Sequence, residues 1–167
     1  MQRSRCIYSQ ASFNYRKGVT IMVSTGKNLS AYNGTPPANG VSGQRLINKG
    51  PIYTTQQVLS ILQSNSQNQP VFVPFTKKCR DDIQDLTLDA DDVIEHITLA
   101  ITNGRFRNSE WCANSSNTAW AACDNYVFRK NTWIAAASKE MPCDYYLKFA
   151  IGKSNKILLI ASCHTST

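Results

Sequence analysis

The sequence predicts an α+β fold: N-terminal helices packed on a C-terminal antiparallel sheet of three to four strands, with a flexible N-terminal arm ahead of both. Three observations carry this. Apolar residues at helical spacing are confined to the stretch between Tyr53 and Gly104. Beyond Gly104 the pattern turns to short aromatic and β-branched runs separated by Asn, Ser and Gly. The first 50 or so residues are rich in Ser, Asn, Gly and Arg, broken by Gly34-Thr35-Pro36-Pro37 and Asn39-Gly40, and show little apolar periodicity. The boundaries are a basic, disordered arm over 1–52 and one folded domain over 53–167. Met22 offers an alternative start to the chain.

Each element follows in order. Thr54 or Thr55 caps a helix whose apolar side is Val58, Leu59, Ile61 and Leu62 and which dissolves in the polar run 63–69. Pro70 to Phe75 is short, apolar and proline-bounded, which suits an edge strand or an extended link. Thr76 caps a second short helix, Lys77 to Leu86. Thr87 or Asp89 opens the clearest helix. There Asp91 and Asp92 suit the positive end, Leu88, Val93, Ile94, Ile97, Leu99, Ala100 and Ile101 form the apolar face, and Asn103-Gly104 is the stop. Arg105-Phe106-Arg107 leads the first strand, and residues 113–118 make a turn. Trp120 to Lys130 is a second strand, and Asn131 to Pro142 reads as a looser connection. Tyr145 to Ile151 and Lys156 to Ser162, joined by Gly152-Lys153-Ser154-Asn155, close the sheet as a hairpin that delivers Cys163 and His164 to its edge.

Charge is unevenly placed. Residues 1–53 hold seven basic and no acidic residues, equal to the whole net charge of +7, so the remainder balances 11 basic against 11 acidic residues. The arm reads either as a nucleic-acid contact or as a solvated tail. In the folded part, Asp81, Asp82, Asp85, Asp89, Asp91, Asp92 and Glu95 precede most of the remaining bases. An acidic helical face behind a basic sheet face would steer an anionic polymer to one side. None of the six cysteines forms a C-x-x-C pair, which argues against a zinc ribbon or knuckle. No apolar run has the length of a signal peptide or a membrane span. These features suit a cytoplasmic protein with free thiols, and a disulfide-stapled secreted protein is the alternative.

Alternation from Tyr145 to Ile151 puts Tyr145, Leu147, Phe149 and Ile151 on one face and Tyr146 and Lys148 on the other. The first set is core and the second is free to work. Arg105, Arg107, Arg129, Lys130 and Lys148 can neutralise phosphates, and Trp120, Tyr126, Tyr145 and Tyr146 can stack on unpaired bases. Cutting RNA without a metal needs a base for the 2′-hydroxyl, an acid for the leaving 5′-oxygen, and cations for the charged phosphorane. His164 suits either proton role. Tyr146 can orient or donate, and Arg107 and Lys148 can hold the phosphate. His96, the second of two histidines, lies inside the clear helix beside Glu95 and reads as a helix-surface residue. No cofactor and no metal ligand set is expected.

Residues 54–167 resemble the motility quorum-sensing regulator (MqsR) toxins, mRNA interferases with a RelE-like fold. Three stretches carry the likeness: Leu88-Asp89-Ala90-Asp91-Asp92-Val93 running on to Phe106 and Ser109; Trp120 through Asp124-Asn125-Tyr126; and Tyr146-Leu147-Lys148-Phe149 followed by Ile157 to His164. The family's sheet tyrosine falls on Tyr146. Its F-x-K-S lysine falls on Asn108, leaving Arg105 or Arg107 to substitute for that RNA contact. Its glutamine falls on Ala121 or Cys123, and its terminal lysine falls on His164. The resemblance implies a ribosome-associated type II toxin that cuts mRNA at short sequences, often containing GC, and is silenced by a cognate antitoxin, with no membrane partner. A non-catalytic RNA- or protein-binding domain on the same fold is the second reading.

Overall fold

Thr54 opens the first helix through a reciprocal cap. Its hydroxyl accepts from the Gln57 amide at 3.2 Å, and the Gln57 side chain accepts from the Thr54 N–H at 2.8 Å. In the computed structural model, which describes residues 26–38, 44–64 and 70–165 and the backbone of 15–16 and 19–20, three α-helices pack on a mixed sheet. The helices are α1 (Thr55–Gln63), α2 (Lys77–Asp85) and α3 (Ala90–Asn103). Thr76 caps α2, and Asp89 with Asp92 caps α3 reciprocally. These are the expected helices, with Thr54 and Asp89 as the working caps.

Nine strands follow in chain order: β1 (Tyr15–Arg16), β2 (Val19–Thr20), β3 (Lys27–Asn28), β4 (Leu46–Ile47), β5 (Phe72–Pro74), β6 (Arg105–Ala113), β7 (Ala119–Ile134), β8 (Lys139–Ile151) and β9 (Leu158–Thr165). β1 and β2 pair with each other, and the other seven form one sheet in the order β4-β6-β7-β8-β9-β5, with β3 beside β7. The expected antiparallel sheet of three to four strands is therefore corrected. The four long strands β6 to β9 do form an antiparallel meander, but β4, β5 and β3 are added to it, and β5 and β3 run parallel to their partners. The stretch 131–142 is not a loose connection. β7 and β8 stay paired out to Ile134 and Lys139, and the 3₁₀ turn Ala135–Ala137 reverses the chain with Ser138 at φ 48°. Asn155 takes the left-handed position, φ 56°, in the β8–β9 turn.

Segments 26–38 and 44–52, assigned by composition to a disordered arm, are part of the sheet layer. The Leu29 amide donates to the Trp120 carbonyl at 2.8 Å, and the Ser30 hydroxyl accepts from the Ala122 amide at 3.1 Å. The Asp124 carboxylate, fully buried on β7, accepts from the amides of Ile52 and Tyr53 at 3.0 Å each and from the Ser109 hydroxyl. Burial lifts the Asp124 carboxyl above its ordinary value, against the lowering effect of these three donors. The rest of the arm, including Met22 and Cys6, and the polar run 65–69 lie outside the described residues.

The core lies between the helices and one face of the sheet. Tyr145, Leu147, Phe149 and Ile151 are buried there as alternation requires, against Val58, Ile61, Val93, Ile97 and Ala100. His96 corrects the surface reading: it is only 1% exposed, wedged between Phe128 and Tyr145 at ring-centroid distances of 5.3 and 4.7 Å, with Nδ1 3.6 Å from the Cys163 sulfur. Burial, aided by the Lys130 charge, pulls its pKa down to about 4. Trp120 and Tyr126 are also buried and do not offer faces to bases. Trp120 packs with Trp111 and Ala122 under Gly26, where any Cβ would fall 2.3 Å from the indole, and Tyr126 stacks on Phe149 at 5.9 Å.

Two outcomes follow for stability. Asp124→Ala leaves three donors without their acceptor and is expected to cost roughly 2–4 kcal/mol in urea unfolding, with faster amide exchange at Ile52 and Tyr53. His96 is neutral when folded, so its contribution is intact above the unfolded pKa near 6.5 and fades as pH falls toward 4, a loss of up to about 3 kcal/mol. Asp124, with its raised pKa, acts with the opposite sign over the acid end of that range. The difference between wild type and His96→Gln, measured by denaturation from pH 7 to 4, therefore isolates the histidine, and the variant's profile is expected to be the flatter one.

Candidate functional site

Tyr146 and Lys148 reach the open face of this sheet by plain alternation in β8, and the polar groups that join them do so because two neighbouring strands break step. In β9, Lys148 pairs with Ser162 but Phe149 pairs with Ile160, so Ala161 is an extra residue. Strict alternation would put Ser162 and His164 on the same side as Ile160, in the core. The bulge turns them to the opposite face, beside Lys148 and Tyr146. β6 does the same. Phe106 pairs with Tyr126 on the core side and Asn108 with Asn125 on the other, leaving Arg107 as the extra residue. From there Asn108 and Glu110 face the side that carries Tyr146.

The result is a polar cluster on β6, β7, β8 and β9. Tyr146 and His164 are register partners, and their rings stack at a centroid distance of 5.2 Å and 29° between planes. The Lys148 ammonium lies 5.5 Å from the centre of the Tyr146 ring and forms an ion pair with Glu110. Glu110 also accepts from the Asn125 amide at 3.1 Å, and Asn125 donates in turn to Asn108. Nδ1 of His164 is 2.7 Å from the Thr165 carbonyl oxygen. A carbonyl only accepts, so Nδ1 carries the proton and Nε2 is left to take one. Burial raises the pKa of the Tyr146 phenol, which keeps it protonated and able to donate. Burial alone would lower the Lys148 ammonium. Cys112, then the Glu110 carboxylate and Tyr146, outweigh it, so Lys148 stays charged.

Tyr146, His164, Lys148 and Glu110 line a cavity of about 460 Å³. One wall is the start of α2, with Lys77 and Lys78; another is the β6–β7 turn, tied to α2 by the Lys77 amide donating to the Ser115 hydroxyl at 3.0 Å. Arg45 closes a third side, its guanidinium 5.2 Å above the Trp120 ring. Lys77 and Lys78 pair with Asp81 and Asp82 one turn along the helix; both ammonium groups and Asp81 are exposed, so the Lys77–Asp81 pair holds only weakly, while Asp82 is 13% exposed.

Of the residues singled out in the sequence, the fold brings Tyr146, His164, Lys148 and Asn108 together. Arg105 shares their face, beside Val127, and Arg107 is the exposed bulge residue of β6; neither lines the cavity. Arg129 is exposed on the same face and held by Asp144 through two hydrogen bonds of 2.6 and 2.9 Å. Lys130 points to the helix side, where it pairs with Glu95 at 2.7 Å. Trp120 and Tyr126 are core residues, as described above. Ala121 and Cys123, the two positions where the resemblance would set a glutamine, are both fully buried.

The sequence reading missed Glu110, Asn125, Arg45, Lys77 and Lys78. Glu110 was within reach: carrying the β6 strand past Arg107 would have placed it three residues on. Arg45 lies in a segment without pattern, and nothing local to Lys77 or Lys78 indicates which surface α2 borders. Among the described residues no group of three or more His, Cys, Asp or Glu side chains could hold a metal ion, five cysteines are free thiols, and no helix is long and apolar enough to cross a membrane. Comparison with protein-family models, with curated proteins and with solved structures gives no match.

The Glu110–Lys148 pair is three-quarters buried, so removing one partner strands the other's charge. Glu110→Gln and Lys148→Met are each expected to lower stability by roughly 1–3 kcal/mol, and a double-mutant cycle in urea should return a coupling of about 1 kcal/mol or more.

Proposed function

We propose that this protein is a metal-independent endoribonuclease that cuts mRNA, acting as the toxin of a type II toxin–antitoxin pair. The observation that carries the chemistry is the stacked Tyr146–His164 pair with Lys148 beside it on the floor of a cationic cavity. The reaction it supports is internal transesterification. His164 Nε2 takes the proton of a 2′-hydroxyl, the 2′-oxygen bonds to the adjacent phosphorus, and the bond from phosphorus to the 5′-oxygen breaks. Tyr146 donates to that leaving oxygen. The products are a 2′,3′-cyclic phosphate and a free 5′-hydroxyl. Lys148 stabilises the phosphorane charge, and Arg45, Lys77 and Lys78 draw in the flanking phosphates. Arg105 and Arg129 lie along the same sheet face, with Arg107 exposed at the β6 bulge, and serve the bound strand outside the cavity.

The toxin assignment, the RelE-like arrangement of the β6–β9 meander, the antitoxin partner and a cytoplasmic setting rest on the resemblance to MqsR toxins in the three stretches named above. One feature favours the second reading, a binding domain without chemistry: Glu110 already occupies the ammonium that would face the phosphorane.

The test is inducible expression together with cleavage of RNA in the presence of EDTA. The expected result is growth arrest, loss of mRNA, and fragments ending in cyclic phosphate. His164→Ala and Tyr146→Phe should each slow cleavage, by roughly a hundred- to ten-thousandfold for the histidine. Growth arrest or RNA binding that survives both changes, with no cleavage by the wild type, identifies the binder instead.

A further inference from the structure

Among the described residues the β7–β8 hairpin outruns the strands on either side of it. Pairing with β6 stops at Arg105 and Val127, and pairing with β9 stops at Tyr145 and Thr165, while β7 and β8 remain in register as far as Ile134 and Lys139. A two-stranded ribbon therefore projects beyond the rest of the sheet. Val127 is the partner of Tyr146, so alternation puts Arg129, Asn131 and Trp133 on the face that carries Tyr146 and His164. Exposure follows that alternation, with 129, 131 and 133 exposed and 128, 130, 132 and 134 buried or half-buried. Trp133 is 62% exposed, whereas Trp111 and Trp120 are 5% and 3%. Along the strand it stands about 20 Å from Val127, a span of several nucleotides.

We infer that Trp133 is a base-stacking platform for the RNA substrate. It holds an unpaired base several nucleotides from the cleaved link, so that the substrate is a single strand long enough to reach both. The inference rests on the nuclease reading of the cavity. Three features favour RNA as the occupant. Trp120 and Tyr126 are sealed in the core, so among the aromatic residues of β7 only Trp133 presents its ring to solvent. Arg105, exposed beside Val127, and Arg107, exposed at the β6 bulge, are not ion-paired among the described residues and stand at the level of the reacting pair, at the other end of the path from the indole. Arg129 is held flat against the ribbon by its two bonds to Asp144. Unpaired bases stack on such a ring whatever their identity, while cations track the backbone between.

The geometry supplies its own probe, because of three tryptophans only Trp133 is exposed. A 2′-deoxy oligonucleotide cannot be cut by the proposed route, so binding is read without chemistry. A single-stranded deoxy octanucleotide is expected to quench tryptophan emission, and a deoxy dinucleotide is not. In the anisotropy of a dye-labelled octanucleotide, which does not depend on tryptophan, Trp133→Ala should weaken binding roughly five- to a hundredfold, and Trp133→Phe should retain most of it. Circular dichroism checks that both variants fold. If the octanucleotide binds with unchanged affinity in Trp133→Ala while RNA is still cut in a His164-dependent manner, the platform is wrong and the nuclease stands. If the wild type neither binds the octanucleotide nor cuts RNA, both fall. Emission that depends on protein concentration alone, with matching self-association in sedimentation, would assign Trp133 to a contact between copies and overturn the inference.

Discussion

Period-two alternation of a sheet is rigid, and the cavity exists because it is broken at two places. The extra residues Arg107 in β6 and Ala161 in β9 each shift the register by one. Each shift sends the polar half of a strand to the face opposite its apolar half. Phe106 and Ile160 stay in the core while Glu110 and His164 leave it. Between them β8 runs without interruption and supplies Tyr146 and Lys148 by simple alternation. The cluster is thus assembled from one regular strand and two irregular ones, and its geometry depends on the bulges as much as on the side chains.

The sheet that holds these registers is fastened to the rest of the chain through Asp124. Its carboxylate joins β6, β7 and the Ile52–Tyr53 turn, which lies more than seventy residues away in sequence. Burying a carboxylate is costly, and three donors offset that cost. Tyr53 then donates to the Ala122 carbonyl at 2.7 Å and lies against Phe149, which sets the point where α1 begins. A polar bond in the middle of the core layer thereby positions an otherwise local helix.

What was legible in the sequence was local. The caps at Thr54, Thr76 and Asp89 and the stop at Gly104 mark helix ends through bonds made within four residues. The Tyr145–Ile151 alternation predicted both the core face and the working face of β8. What was not legible depends on distant partners. Two-residue strands such as Lys27–Asn28 and Leu46–Ile47 carry no periodicity, and they form because β6 and β7 present free edges to them. Nor does a bulge announce itself in β9: a run of six buried residues, Leu158 to Cys163, leaves alternation unreadable. His96 and Trp120 were misread because a lone histidine in a helix and a tryptophan in a strand have the same local signature whether they face solvent or core.

Among the described residues the projecting hairpin also leaves two strand edges bare beyond the last pairs with β6 and β9. Such edges invite a foreign strand to add on and start aggregation. Pro142, opposite Asn131 in β8, lacks the N–H that a new neighbour would need, and the charged Arg129–Asp144 pair sits where the bare stretch begins. The extension is therefore guarded against sheet growth at its root, while its tip stays free to meet a ligand through side chains rather than backbone.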